Sequence, residues 1–234
     1  MKTANISTFI KACFFAGLVG MGFSCDDDDP MPIVENPADE MGMAPEVSFT
    51  ALIDDNRIAR FDARQLNAPM DVMDITGLES GEMIVSIDYR PATGQLYALG
   101  STSRIYIINE NNAMATPLGS AAFSPAIDGD NASLDFNPTV DRIRLVTASG
   151  QNLRLHPELG TVVATDGMIS GRSNPMIGAV AYTNSMAGAS STDLYDIDFS
   201  SNKLYIQNPP NEGGLEEVGD LGIDFMGMGN FDIN

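Results

Sequence analysis

Apolar and polar residues alternate in short segments along most of the chain after residue 46, and turn residues separate these segments. The stretch Ile84–Tyr89, for example, is followed by the turn Pro91–Gly94 and then by Gln95–Leu99. A period of two that is bounded by Gly, Pro, Asn or Asp is typical of short antiparallel strands. We find no segment with the 3.6-residue period of an amphipathic helix. The pattern therefore predicts an all-β fold.

The alternating segments recur as a repeat, which is marked by an aromatic residue at the end of one strand. Tyr89, Phe136, Tyr182 and Phe231 mark the successive copies, and they are 47, 46 and 49 residues apart. About four strands fit into each interval. Four-stranded units repeated at about this length are typical of β-propeller blades, so we predict a propeller built from four-stranded blades.

The two ends of the repeat array are each incomplete. Val47–Leu52, Arg57–Phe61 and Val72–Ile75 supply only three strands, whereas Phe231–Ile233 is an isolated copy of an innermost strand. An unpaired strand edge exposes backbone N–H and C=O groups. We therefore predict four blades, with the ring closed by pairing the C-terminal strand to the first blade.

Several longer motifs resemble the bacterial domain of unknown function 4394. The motifs are Ile87-Asp88-Tyr89-Arg90-Pro91-Ala92-Thr93-Gly94-Gln95-Leu96-Tyr97, Gly100-Ser101-Thr102-Ser103-Arg104, Asp135-Phe136-Asn137-Pro138-Thr139-Val140-Asp141-Arg142-Ile143-Arg144, Gln151-Asn152-Leu153-Arg154-Leu155 and Gln207-Asn208-Pro209-Pro210-Asn211. The resemblance covers about residues 47–234 and implies a secreted, repeat-built β domain without an established activity. Members of the family commonly continue with a further repeat. The alternative architecture is therefore an incomplete five-bladed propeller.

The N-terminal segment has the layout of a cleavable lipoprotein signal peptide, which we assign to residues 1–24. Lys2 and Lys11 precede an apolar run, Ala12–Phe23, of about 12 residues, which is shorter than the roughly 20 that span a membrane as a helix. Residues 22–25 resemble a bacterial lipobox, in which Cys25 is acylated. The sequence therefore predicts a membrane anchor through a lipid on Cys25.

Four aspartates, Asp26–Asp29, follow Cys25 and resemble the acidic signal that directs some bacterial lipoproteins to the cell surface. Residues 25–46 are rich in acidic residues and proline and predict a flexible tether. The propeller domain then occupies residues 47–234. We expect a lipid-anchored protein of the bacterial outer membrane that is exposed at the cell surface. Two alternative locations are the periplasmic face of the membrane and secretion from the cell.

The chain is strongly acidic, with 32 acidic and 12 basic residues and a net charge of −20. A polyanion would be repelled, and no cluster of Lys and Arg offsets this repulsion. We therefore predict no nucleic-acid partner. The mature domain also lacks cysteine, which excludes thiol catalysis and disulfides.

Carboxylates are the most abundant chemical groups, and three of them occupy equivalent repeat positions. Asp88, Asp135 and Asp232 each lie on a predicted innermost strand, where a propeller brings them around one axis. They could accept hydrogen bonds from a neighbouring blade, which we favour, or bind a hard cation such as Ca²⁺. Ala181 interrupts the ring of four. Asp128 and Asp130 form a second candidate Ca²⁺ site in a short loop without EF-hand spacing.

Five arginines lie within the motifs that carry the resemblance: Arg90, Arg104, Arg142, Arg144 and Arg154. Arginine forks bind carboxylates and phosphates in two-point contacts. The side chains could bind an anionic ligand, or they could form ion pairs with Asp88, Asp135 and Asp141 between blades, which we favour. The only histidine, His156, precedes Pro157 in a turn and is interpreted as a turn residue. We assign no catalytic residue.

The function favoured by this pattern is a non-catalytic binding module that recognises a glycan, a protein or a component of the cell envelope. One alternative is a hydrolase or lyase that acts on polysaccharide through paired carboxylates. A second alternative is a purely structural envelope protein. A propeller supports all three functions. No cofactor is predicted apart from the candidate Ca²⁺.

Overall fold

The structure is a computed structural model that describes residues 44–54, 56–224, 227 and 229–233. The predicted signal peptide, Cys25 and residues 25–43 of the predicted tether lie outside the described residues. The strands are β1 (Ser48–Ile53), β2 (Arg57–Asp62), β3 (Asp71–Asp74), β4 (Ile84–Arg90), β5 (Gln95–Gly100), β6 (Arg104–Asn109), β7 (Met114–Pro117), β8 (Ala132–Asn137), β9 (Arg142–Thr147), β10 (Asn152–Leu155), β11 (Val162–Thr165), β12 (Ile177–Tyr182), β13 (Leu194–Asp198), β14 (Lys203–Gln207) and β15 (Leu215–Asp220). The strand bounds predicted between residues 47 and 99 agree with these within one residue, whereas the predicted strand Phe231–Ile233 is not assigned.

Each repeat forms one antiparallel sheet in which consecutive strands pair. The sheets have the orders β1-β2-β3, β4-β5-β6-β7, β8-β9-β10-β11 and β12-β13-β14-β15. The first strands of the last three sheets also contact one another, β4 against β8 and β8 against β12. These strands therefore surround a common axis, and the four sheets are the blades of a four-bladed β-propeller. We number the blades 1 to 4 in chain order.

The faces between blades carry the apolar core. Tyr97 of blade 2 and Phe136 of blade 3 are each about 1% exposed, and their rings meet edge to face with centroids 4.9 Å apart. Ile58 and Tyr106 belong to the equivalent cluster between blades 1 and 2. Full burial of one such side chain stabilises a fold by roughly 1.5–3 kcal/mol. The alternating pattern thus produces blades that are apolar on the faces they share.

Neighbouring innermost strands are also joined by side-chain hydrogen bonds. Ser86 Oγ on β4 accepts a bond from the Leu134 N–H (3.1 Å), and Ser133 Oγ on β8 accepts one from the Val180 N–H (3.1 Å). The N–H groups on the axial side of an innermost strand have no further strand to pair with, and a buried N–H without a partner is costly. Side-chain oxygens at repeated positions therefore satisfy them.

The C-terminal residues 229–233 continue this arrangement between blade 4 and blade 2. The Gly229 N–H donates to the Gly178 carbonyl of β12 (3.2 Å). Asn230 Oδ1 in turn accepts bonds from the Ile87 N–H (3.0 Å) and the Ser86 hydroxyl (3.2 Å) of β4. The prediction of four blades is therefore confirmed. The predicted pairing of the C-terminal segment with the first blade is wrong for the described residues, because these bonds join residues 229–233 to blades 4 and 2.

The detail of this closure differs from a regular four-stranded blade. Residues 229–233 have no assigned strand, and within the described residues the sheet of blade 1 contains three strands. The segment is held mainly through the Asn230 side chain, and a cavity remains between it and β1. Within the part of the chain that is described, no helix is long and apolar enough to cross a membrane.

Candidate functional site

Three carboxylates converge at the axis of the propeller, as their repeat positions predict. Asp88 of β4, Asp135 of β8 and Asp232 of the C-terminal segment each place one carboxylate oxygen within 4.8 Å of the others. Asp135 is only 1% exposed, Asp88 is partly exposed, and Asp232 is exposed. Because the equivalent residue of blade 4 is Ala181, that blade contributes no carboxylate to the cluster. We call these three residues the axial cluster.

Two members of the axial cluster act as hydrogen-bond acceptors between blades, which was the favoured prediction. Asp88 Oδ2 accepts a bond from the Phe136 N–H (2.8 Å), and its Oδ1 accepts one from the Tyr89 N–H (2.6 Å). Asp135 Oδ1 accepts a bond from the Tyr182 N–H (3.1 Å). These carboxylates therefore stabilise the contacts between blades 2, 3 and 4, whatever else they bind.

Burial shifts the protonation of the axial cluster. Desolvation raises the pKa of Asp88 to about 8; the N–H bond from Phe136 opposes this rise, and the nearby Asp232 adds to it. The pKa of Asp135 is also raised well above its usual range. Desolvation is the larger cause, and repulsion from Asp88 is the next. Neutral carboxyl groups are therefore favoured here at neutral pH.

The axial cluster has part of the chemistry of a cation site. Ca²⁺ binds six to eight oxygen ligands, often from carboxylates. With one oxygen from each residue, the three carboxylates of the axial cluster supply fewer ligands than this. Ala181 offers no side-chain oxygen. A cation held here would thus take its remaining ligands from water or from a bound molecule, and it would have to displace protons from Asp88 and Asp135.

A cavity of about 540 Å³ adjoins the axial cluster between β1 and β4. Phe49, Tyr89 and Phe231 contribute aromatic side chains to its wall, and Asp88 and Asp232 contribute carboxylates. We call this space the axial cavity. It exists because residues 229–233 do not form a strand against β1.

Contacts with neighbouring side chains hold two aromatic residues of the axial cavity, Phe49 and Tyr89, in place. Phe49 is 42% exposed and stacks on Phe61 of β2, with ring centroids 5.6 Å apart. The Tyr89 hydroxyl donates to Glu110 and lies 2.9 Å from Thr50 Oγ1. Desolvation, followed by the bond to Glu110, raises the pKa of Tyr89 to about 12. Both rings are therefore fixed surfaces that a ligand can contact.

Arg90 does not face an open site. Its guanidinium forms a two-point pair with the Asp141 carboxylate on the turn before β9, through Nε to Oδ1 (2.9 Å) and through Nη2 to Oδ2. The same pair lowers the pKa of Asp141. The predicted inter-blade ion pair is confirmed for Asp141, whereas Asp88 and Asp135 form no ion pair with arginine among the described residues.

Three of the other four predicted arginines meet between blades 3 and 4, whereas Arg104 begins β6 and does not line the same space. Arg142, Arg144 and Arg154 line a smaller pocket of about 200 Å³ together with Tyr182 and Asn211. We call it the arginine pocket. The register of β9 and β10 places Arg144 and Arg154 directly opposite each other, so their like charges need a shared counter-ion.

That counter-ion is Asp166, which sequence analysis did not single out. Its Oδ2 accepts bonds from Arg144 Nη1 (2.6 Å) and Arg154 Nε (2.8 Å). Arg144 also donates to the Asn152 side-chain oxygen (2.7 Å). It donates as well to the side-chain oxygen of Asn211, which lies in the turn after β14 (2.7 Å). Asp166 follows β11 in a short polar loop, and its sequence carries no repeat signal that would have identified it.

A second residue that sequence analysis missed is Asp196 on β13. It is fully buried, and neither carboxylate oxygen has a hydrogen-bond partner among the described residues. Desolvation raises its pKa well above the usual range, Arg144 opposes this, and Asp198 adds to it. Strand alternation alone could have placed Asp196 on the buried face with Leu194.

The remaining candidates lie in exposed or turn positions. Asp128 and Asp130 are exposed on the loop between β7 and β8, and neither belongs to the axial cluster, the group of potential metal ligands found among the described residues. A Ca²⁺ site at these two residues stays a prediction. His156 Nδ1 accepts a bond from the Glu158 N–H (3.2 Å), which is consistent with its interpretation as a turn residue.

Fold and sequence together place this protein among four-bladed β-propellers. Residues 57–234 match the model of the domain of unknown function family DUF4394, and the chain belongs to that family. No curated protein sequence matches it.

Solved structures resemble the chain at low sequence identity. Virginiamycin B lyase from Staphylococcus aureus is 18% identical, with a TM-score of 0.43 over 72% of this chain and 50% of the lyase. An auxiliary nutrient binding protein from Bacteroides thetaiotaomicron is 14% identical, with a TM-score of 0.41 over 69% and 44%. A catalytically inactive variant of the lyase with quinupristin is 12% identical, with a TM-score of 0.45 over 78% and 55%. The chain thus spans about half the length of these proteins.

Proposed function

We propose that this protein is a non-catalytic binding module and that the axial cavity is its ligand site. The observation that carries the proposal is the position of one cavity, about 540 Å³ in volume, which is lined by aromatic side chains and adjoins the axial cluster. Ligand pockets of roughly 300–1,000 Å³ commonly combine apolar walls with a few polar groups. Carboxyl groups with a raised pKa also mark functional sites.

The lining of the axial cavity favours a saccharide. A sugar ring has a weakly polar face of C–H groups that packs on an aromatic ring such as Phe49 or Phe231. Its hydroxyl groups donate hydrogen bonds to carboxylate oxygens, which Asp232 presents at the exposed end of the axial cluster. The cavity volume admits a short glycan and not an extended protein surface.

The same geometry supports binding over catalysis. A glycosidase of the usual kind needs one carboxyl as acid and a second as nucleophile or base, both directed at the substrate. Asp88, however, uses both oxygens to accept backbone N–H bonds, and Asp135 is buried. The alternative of a carboxylate-based hydrolase or lyase rests on the pKa of Asp88, about 8, which would keep a proton available to a leaving group at neutral pH.

We further propose that the protein is exported and anchored to the bacterial outer membrane through a lipid on Cys25, with the propeller exposed at the cell surface. The support is the sequence of residues 1–29, with its short apolar run, lipobox-like segment and four aspartates. A tethered module that binds glycans would hold polysaccharide close to the cell.

A glycan array followed by calorimetry on the purified protein tests the proposal. The variants are Phe49→Ala, which removes an aromatic wall, and Asp232→Asn, which removes a carboxylate. We expect each to weaken binding of the array hit about tenfold or more, the loss that corresponds to roughly 1.4 kcal/mol. Leu159→Ala and Asp193→Asn, at exposed positions outside the axial cavity, are the matched controls and should bind normally.

Two results would contradict the proposal. One is a glycan that binds with the same affinity to all four variants, because the site would then lie elsewhere. The other is turnover of a polysaccharide that Asp88→Asn or Asp135→Asn abolishes, which would make the protein an enzyme.

A further inference from the structure

The arginine pocket concentrates positive charge in a strongly acidic protein. Arg142, Arg144 and Arg154 line a space of about 200 Å³ between blades 3 and 4, in a chain with a net charge of −20. Asp166 is the carboxylate that pairs with two of these arginines. The neighbouring Asp141 forms its two-point pair with Arg90. Guanidinium charge therefore exceeds carboxylate charge in the lining of this pocket.

The deepest of the three arginines is fixed in one position. The Arg144 side chain is 2% exposed, and its Nε donates to the Tyr182 hydroxyl (3.3 Å). Its Nη1 donates to Asn152 and Asp166, and its Nη2 donates to Asn211. A guanidinium has five N–H donors, so one N–H of Nη2 is left without a recorded acceptor among the described residues.

The two more exposed arginines keep more donors unused. Arg154 bonds Asp166 through Nε and through one N–H of Nη2, so its Nη1 has no recorded acceptor in the described part of the chain. Arg142 donates through Nη1 to the carbonyls of Val140 and Asp141, so its Nε and Nη2 likewise have none. Each of these side chains thus presents a partly unoccupied fork to the pocket.

We propose that the arginine pocket binds the carboxylate group of a small ligand, such as a uronic acid. Guanidinium groups match the planar shape of a carboxylate with two parallel N–H bonds, and the Tyr182 hydroxyl can donate a further bond. The volume is below the roughly 300–1,000 Å³ of pockets for larger ligands, which limits the occupant to one small group. A monoanion is preferred to a phosphate dianion because the surrounding protein is strongly acidic.

This site is separate from the axial cavity, which lies between blades 1 and 2 and shares no lining residue with it. Glycan binding in the axial cavity can therefore fail while carboxylate binding in the arginine pocket succeeds, and the reverse also holds. Nuclear magnetic resonance separates the two results, because the residues whose signals shift identify the site.

The experiment titrates glucuronate, glucose and inorganic phosphate into the ¹⁵N-labelled protein. We expect glucuronate to shift the backbone N–H signals of the non-proline residues within 137–144 and 208–213 in a saturable manner and glucose to leave them unchanged. Phosphate should bind more weakly than glucuronate. The proposal is overturned if glucuronate causes no saturable shift there, if glucose binds equally well, or if phosphate binds more tightly.

Variants test which side chains hold the carboxylate. Arg142→Gln and Arg154→Gln should each weaken glucuronate binding at least tenfold, whereas the exposed Arg60→Gln on blade 1 removes the same charge and should leave it unchanged. Arg142 bonds only backbone carbonyls, so its variant should keep the native spectrum. Unaltered affinity in both pocket variants would refute the assignment.

Discussion

The axial cluster makes a specific prediction about the pH dependence of stability. Burial raises the pKa of Asp88 from its ordinary value of 3.8 to about 8, and it also raises the pKa of Asp135. The folded protein therefore keeps these protons at pH values at which the unfolded chain has released them. Stability rises with pH only where the unfolded state binds more protons. Here the native state binds more, so stability should fall as the pH rises from about 4 to about 8.

The size of the effect follows from the value at Asp88. One proton retained by the native state changes the free energy of unfolding by about 1.4 kcal/mol per pH unit, so between pH 5 and pH 8 this group alone contributes a loss of up to about 4 kcal/mol. The pKa values of Asp135 and Asp196 are also raised, so these groups likewise lower the free energy of unfolding as the pH rises. Arg90 lowers the pKa of Asp141, so this carboxylate stabilises the fold at neutral pH. That stabilisation is lost only as the pH falls through the acid range.

Urea unfolding at pH 5 and pH 8 measures the difference, and Asp135→Asn tests its origin. The amide has no ionisable proton, and its oxygen can still accept the bond from the Tyr182 N–H. We therefore expect the variant to be more stable than the native protein at pH 8 and to lose less stability between the two pH values. Asp128→Asn removes one negative charge from an exposed loop and controls for the net charge. Stability that rises from pH 5 to pH 8, or an equal gain in both variants, would refute this reasoning.

Three further predictions concern packing, closure and export. Gly171 has φ +94°, and an added Cβ would lie 2.6 Å from the Leu215 carbonyl oxygen. At the control position Gly129, φ is +86° and no atom lies within 4 Å of such a Cβ. Urea unfolding should therefore show Gly171→Ala to be less stable than Gly129→Ala, and equal losses of stability would contradict this. Asn230→Ala leaves an N–H of β4 without its acceptor, and we expect a loss of about 1–3 kcal/mol in the free energy of unfolding; an unchanged melting temperature would show that residues 229–233 do not close the ring. Mass spectrometry should find residues 1–24 removed and Cys25 acylated, and Cys25→Ser should release soluble protein; a native mature protein without lipid would count against the anchor.

The axial cluster was predictable from the sequence because a repeat converts sequence position into spatial position. Asp88 and Asp135 occupy the same place in successive blades, and Asp232 has the equivalent place in the last copy. Each innermost strand faces the axis in any closed propeller, so equivalent residues must meet there. The shifted pKa of Asp88 was not predictable in this way, since it depends on how much water the neighbouring blades exclude.

The arginine pocket shows the opposite case. The sequence analysis singled out five arginines in an acidic chain, among them Arg142, Arg144 and Arg154. It indicated neither the counter-ion of these three nor the space between them. Asp166 is 22 residues from Arg144, and Asn211 is 67 residues away. Which loop of blade 4 covers which strand of blade 3 depends on the rotation between blades, and this rotation leaves no local pattern in the sequence.

By itself, the sequence determined the all-β class, the strand bounds, the four repeats and the convergence of the axial carboxylates, because alternation and repetition are local properties of the chain. Tertiary structure alone decided that Asn230 closes the ring through its side chain and that the axial cavity stays open beside Phe49. It also decided that neither carboxylate oxygen of Asp196 has a hydrogen-bond partner among the described residues. These features depend on contacts between residues distant in sequence, and such contacts follow from how blades pack.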